Sequence, residues 1–186
     1  MKNLILASGS PRRLGLLAQI QIVPVAVHVP AINEAPIPRE LPQHYAKRMA
    51  ETKANTVANL FPDKTILAAD TVVICGRTLI HKPENEQQAE KCLKRLSGRR
   101  HTVITAVVIL HNEKQKIRLV KTSLSFKRLS EEEIKTYLES REWEDKAGGY
   151  AIQGLAGAFI SSINGSYTNV VGLPLYETRN MLMSCK

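Results

Sequence analysis

The stretch Leu4-Ile5-Leu6-Ala7-Ser8-Gly9-Ser10-Pro11-Arg12-Arg13 decides the architecture, because it compresses a strand, a tight polar turn and a helix start into adjacent residues. The apolar run predicts a strand over 3–7. Ser10 reads as an N-cap with proline at the first helical position, which predicts a helix over 11–20 with Leu14, Leu16, Leu17 and Ile20 on its apolar side. A helix start carries partial positive charge and favours acids in its first turn, yet here it holds Arg12 and Arg13. Unpaired, each costs ~0.3–1 kcal/mol. A bound polyanion reverses the sign, since backbone N–H groups and two guanidiniums then converge on phosphate; two solvated arginines are the alternative.

Outward from this unit, Gln21 to Val29 reads as extended, and the prolines at 30, 36, 38 and 42 make 30–42 a loop that contains Asn33-Glu34. Helical periodicity runs from Gln43 to Phe61. The β-branched run Thr65–Cys75 suits a central strand, and Gly76-Arg77 turns it into Thr78-Leu79-Ile80. A helix over 84–96 stops at Ser97-Gly98, and extended segments follow at about 101–112 and 117–127, joined by the His111-Asn112-Glu113-Lys114 turn. Ser130 and Glu133 form a capping box for a helix reaching Ser140. Six glycines lie between 147 and 172, with strand character at 158–163, and Pro174 starts a closing helix. Alternating elements early and a hairpin-rich second half predict an α/β or α+β fold with a mixed sheet.

The 186 residues with 44% hydrophobic content fit one domain spanning 1–186. Nothing approaches the ~20 apolar residues of a membrane span, and Met1-Lys2 leads straight into the first strand without a visible signal peptide. Cys75, Cys92 and Cys185 have no metal or disulfide spacing, which points to a reducing cytoplasm. A net charge of +9 suits a polyanionic partner, but no basic tail or aromatic–basic interleaving suggests nucleic acid, so none is expected.

Asp70 is the sharpest single residue. It stands inside an apolar run, where an ionised carboxylate is costly unless paired, hydrogen-bonded or metal-bound. Lys53 falls in line with Met49 and Val57 on the inward stripe, so its stem lies on the core and its ammonium emerges at an edge or cleft, or reaches bulk water. Pro83 fixes the backbone direction of Lys82. Glu34 is a hard oxygen ligand that could join Asp70 on Mg²⁺ or Mn²⁺. In Asp145–Gly154, glycines permit close approach and Gln153 offers donor and acceptor to a base edge; an exposed amide on a turn is the plainer reading.

Together these segments resemble the Maf family of nucleoside triphosphate pyrophosphatases. The motifs are Ala7–Arg13, Lys53-Ala54, Ala69-Asp70-Thr71-Val72, Lys82-Pro83, Leu96-Ser97-Gly98, Asp145–Gly148, Tyr150, Ile152-Gln153-Gly154, Ile163–Tyr167 and Val170–Leu175. The resemblance implies a two-lobed α/β fold with a mixed sheet and central cleft, related to inosine triphosphate pyrophosphatases, in a homodimer. It implies metal-dependent cleavage of a nucleoside triphosphate to monophosphate and pyrophosphate. In that scheme Asp70 is the general base. Arg12, Thr71 and Gln153 select the base; Ser8, Arg13, Lys53 and Lys82 line the phosphate site; Glu34 and Asp70 serve a divalent metal. Ser-Pro-Arg-Arg, Ala-Asp-Thr and Tyr-x-Ile-Gln-Gly are similar to the dTTP/UTP branch. A 7-methyl-GTP pyrophosphatase, and a non-enzymatic regulator that binds nucleic acid or a division-related partner, are the alternatives. Two departures stand out: Asn33 precedes Glu34 where relatives often have an acid, and Gly149-Tyr150-Ala151 replaces the commoner Ala-Tyr-Gly.

Overall fold

The computed structural model describes residues 3–112 and 114–185. Strand β1 (Leu4–Ala7) leads into α1 (Pro11–Gln19), β2 (Ala26–Val27), α2 (Pro42–Leu60) and β3 (Thr65–Cys75). Both β2 and β3 pair with β1 in parallel, one on each side of it. Successive strands are thus added first to one flank of β1 and then to the other. In open α/β sheets such a reversal leaves a ligand-binding crevice at the carboxyl ends of the strands. The register matches Ala7 with Ala68, so Asp70 projects two residues past the last paired position of β1.

The chain continues through β4 (Thr78–Ile80), α3 (Glu86–Leu96), β5 (Arg100–His111), β6 (Lys114–Phe126), α4 (Glu131–Glu139), β7 (Ile160–Asn164), α5 (Tyr167–Val171) and α6 (Leu175–Met183). The seven-stranded sheet runs β2-β1-β3-β5-β6-β7, with β4 on β3; the β3–β4 and β6–β7 pairs are antiparallel, so the sheet is mixed. The contacts divide the chain into two compact units interleaved in sequence. The first holds residues up to Asp70, Thr105–Val120 and those from Gly172 onward; the second holds Thr71–Ile104 and Lys121–Val171. Leu4, Leu6, Leu17, Met49 and Leu67 are buried in the first unit, and Leu93, Leu124, Phe126 and Tyr137 in the second. No helix among the described residues is long and apolar enough to cross a membrane.

Most predicted elements form where the pattern puts them, with instructive departures. The capping box is present: Ser130 Oγ accepts from the Glu133 N–H and the Glu133 carboxylate accepts from the Ser130 N–H. Helix α3 starts later than Glu84, because Asn85 caps it by accepting the Gln88 N–H at 2.9 Å. Of the extended 21–29 segment only Ala26–Val27 joins the sheet; Gln21 itself is left-handed, at φ 57°. Strand β7 starts two residues later than 158, because Leu155–Phe159 winds into a 3-10 turn. Leu14 is exposed, and α1 buries Leu16 and Leu17 instead. Glu113, within the predicted hairpin turn, lies outside the described residues.

Candidate active site

The first unit gathers its polar residues at the end of β1. Ser8 is buried, and its hydroxyl accepts the Ser10 N–H at 3.2 Å and Arg13 Nη1 at 2.9 Å. Ser10 occupies the N-cap position but makes no side-chain capping bond, so Ser8 rather than Ser10 organises the turn. The alternative of two fully solvated arginines does not hold: Arg12 and Arg13 are both half-buried. Arg13 Nε also donates to the Gly172 carbonyl at 2.9 Å, so two protein acceptors orient its planar fork. Burial pulls its guanidinium pKa down; the charges of Asp70 and Glu34 oppose that shift and Arg12 adds to it.

Helix α2 supplies the central cation. Ala46, Met49, Ala50, Ala54 and Val57 pack inward, and Lys53 lies buried among them. Its Nζ sits 2.7 Å from Asp70 Oδ1 and 2.7 Å from Glu34 Oε1, so one ammonium bridges both carboxylates. Lys53 therefore does not reach for bulk water; its stem crosses the core and its head ends on the two acids. Burial raises the Asp70 pKa; Lys53 and Arg13 pull it back down and Glu34 pushes it further up.

Glu34 rides on the proline-rich loop, and that loop is fastened to α2. Tyr45 Oη donates to the Glu34 carbonyl at 2.8 Å, and Arg48 Nη2 donates to the Ala35 carbonyl at 3.2 Å. Arg48 also grips the Glu40 carboxylate through Nε at 2.7 Å and Nη2 at 2.6 Å, and that carboxylate accepts the Ile37 N–H. The Tyr45 pKa is pushed up to about 12, chiefly by burial and then by the charges of Asp70 and Glu34. Sequence reasoning missed this clasp. The only signal for it was Tyr45 and Arg48 on one helical face, facing a loop rich in prolines.

Thr71, Lys82 and Gln153 belong to the second unit. Thr71 follows Asp70 on β3 and is half-buried; Lys82 is exposed ahead of the buried Pro83; Gln153 is exposed on its turn. Gly148 and Gly149 both adopt positive φ, 74° and 70°, and a Cβ at Gly148 would press within about 3 Å of the Val73 side chain. A Cβ at Gly149 would come within 3.3 Å of Pro83 Cγ and Cys92 Cβ, so both its backbone sign and its surroundings favour glycine. The structure thus brings Ser8, Arg13, Glu34, Lys53 and Asp70 together within the first unit, with Arg12 coupled to Arg13 by charge.

Among the described residues no group of three or more His, Cys, Asp or Glu forms a metal cage. The two carboxylates that converge on Lys53 nevertheless fit a hard cation that takes one or two protein oxygens and completes its shell with phosphate and water.

A profile of the family described as Maf-like protein matches residues 3–185. The chain belongs to the Maf family. A relative from Wolbachia pipientis wMel, named dTTP/UTP pyrophosphatase, is 53% identical over 98% of this chain and 93% of its own length. One of the same name from Caulobacter vibrioides is 50% identical over 96% of this chain and 93% of its own length. A relative from Ehrlichia ruminantium, named nucleoside triphosphate pyrophosphatase, is 50% identical over 97% of this chain and 94% of its own length. Membership of the Maf family thus extends over nearly the whole chain.

Proposed function

We propose that this Maf protein hydrolyses dTTP and UTP to the monophosphate and pyrophosphate. The observation that carries the reading is the buried ammonium of Lys53 held between Asp70 and Glu34, with Arg13 fixed beside them. Near-complete coverage by relatives named for that activity supports it.

In the reading we favour, Asp70 orients a water for in-line attack on the α-phosphorus and accepts its proton, a task helped by a pKa that burial has raised. The bond to the bridging oxygen breaks and pyrophosphate leaves. Lys53 and Arg13 offset charge as it develops on the phosphate oxygens, and because protein acceptors already orient them they need little reorganisation. The Ser8 turn and the start of α1 supply further polar groups, and Lys82 another cation. Arg12, Thr71 and Gln153 read the pyrimidine; a pocket that reads hydrogen bonds rejects a wrong base because its own polar groups are then left unpaired. Mg²⁺ or Mn²⁺, held by Asp70 and Glu34 with the substrate, would neutralise triphosphate charge. On the same footing we place the protein in the cytoplasm as a homodimer of one two-lobed domain that binds nucleotide rather than nucleic acid.

Pyrophosphate release from UTP, dTTP, CTP, GTP and 7-methyl-GTP tests this reading. UTP and dTTP are expected to lead; preference for 7-methyl-GTP, or no turnover of any of them with metal supplied, would overturn it.

A further inference from the structure

Resting on the reading that Gln153 recognises the base, we propose that Glu142 is a positioning residue for Gln153 and so sets discrimination among bases. An exposed glutamine on a glycine-flanked turn discriminates little unless its backbone is fixed. This turn is pinned on both sides of Gln153. Two residues before it, the Ala151 N–H donates to Tyr137 Oη at 3.0 Å; two residues after it, the Leu155 N–H donates to Glu142 Oε2 at 2.8 Å. The bond from a backbone N–H to a carboxylate is charge-assisted and stiffer than a neutral one.

Gly154 is shaped to admit that carboxylate. A Cβ built there would lie 2.0 Å from Glu142 Oε2 and 2.5 Å from its Cδ, so any side chain at 154 pushes Glu142 off the Leu155 N–H. The backbone sign does not call for glycine here, since φ is −112°; what a side chain at 154 would meet is the end of the Glu142 side chain.

Glu142 is itself held. The Trp143 indole is buried and donates from Nε1 to the Leu138 carbonyl at 3.1 Å, and the Glu142 N–H donates to Ser140 Oγ at 3.3 Å. Tyr137, the other pin, is buried on α4. The end of α4 and the turn after it therefore form a bracket whose two polar ends, Tyr137 Oη and the Glu142 carboxylate, close on the backbone flanking Gln153, all within the second unit.

The test compares kcat and KM for UTP, dTTP, CTP and GTP in Glu142→Ala, Glu142→Gln, Gly154→Ala and Gln153→Ala. Glu142→Ala and Gly154→Ala are expected to lower the UTP-over-CTP ratio of kcat/KM by about tenfold, with the loss falling on KM more than on kcat. Glu142→Gln keeps an acceptor oxygen and should retain most of the ratio. If Glu142→Ala loses the fold, Gly154→Ala carries the test, because it leaves Glu142 present and only displaces its carboxylate. Equal losses on all four nucleotides, or unchanged ratios in Glu142→Ala and Gly154→Ala while Gln153→Ala alters them, would overturn the positioning role alone. An unchanged ratio in Gln153→Ala would instead overturn the base-reading assignment on which it rests.

Discussion

At the scale of single residues, Asp70 and Lys53 show a site assembled against the interest of stability. Both are buried, and burial raises the Asp70 pKa despite its ammonium partner. A carboxyl whose folded pKa is raised contributes stability that is fully present below its unfolded pKa and is lost as pH rises through the folded value. At neutral pH the ionised form is therefore a net cost. Asp70→Asn removes that cost while Lys53 keeps Glu34 at 2.7 Å and an amide oxygen in place of Oδ1. In EDTA, Asp70→Asn should melt above wild type at neutral pH, with the gap closing below about pH 4, the unfolded carboxyl range. Its turnover should fall by ~10²-fold or more. A variant that melts lower and turns over normally contradicts both roles given to Asp70. This residue was legible in the sequence because an acid inside Ile66–Ile74 has few innocent explanations. Gln153 was less so, since an exposed amide carries no such penalty.

At the scale of elements, α2 is the scaffold of the site rather than only a wall of the core. One face carries Lys53 to Asp70, and the residues a turn or two earlier, Tyr45 and Arg48, hold the loop that delivers Glu34. The helix itself was readable from its alanine and methionine spacing, and β3 from its β-branched run. The clasp was not, because it joins a helix to an irregular loop through backbone carbonyls, which leave no periodic mark. For the same reason the extended 21–29 segment overstates β2: pattern shows that residues can extend, not which of them find a partner strand. Arg48→Ala should speed amide exchange at Ile37, whose N–H rests on the Glu40 carboxylate that Arg48 holds, while β3 amides keep their protection. Tyr45→Phe should cost about 0.5–1.5 kcal/mol of stability, the range for one hydrogen bond. Unchanged exchange at Ile37 and an unchanged melt in Tyr45→Phe would show that the loop is held by something else.

At the scale of the molecule, two compact units interleave along the chain, and β3 contributes Asp70 to one and Thr71 to the other. That division was not readable from composition, because no linker or change of residue usage marks it; the long strands simply pass from one unit to the other. The mixed α/β class was readable, since alternating strand and helix patterns favour the parallel pairing seen at β1 and short turns favour the antiparallel pairing seen between β3 and β4. The charge of +9 was suggestive only beside the arginine-bearing helix start, where the proposed function gives it a place to act. What unites these scales is a buried carboxylate, an ammonium bridging two acids and an oriented guanidinium gathered in one unit, which the proposed mechanism directs at a single phosphorus atom. Hydrolysis of UTP in ¹⁸O-water, with the products read by mass spectrometry, tests this most directly. The account predicts heavy oxygen in UMP, none in pyrophosphate, and near-silence from folded Asp70→Asn; UDP with free phosphate, label in pyrophosphate, or undiminished turnover in that variant would contradict it.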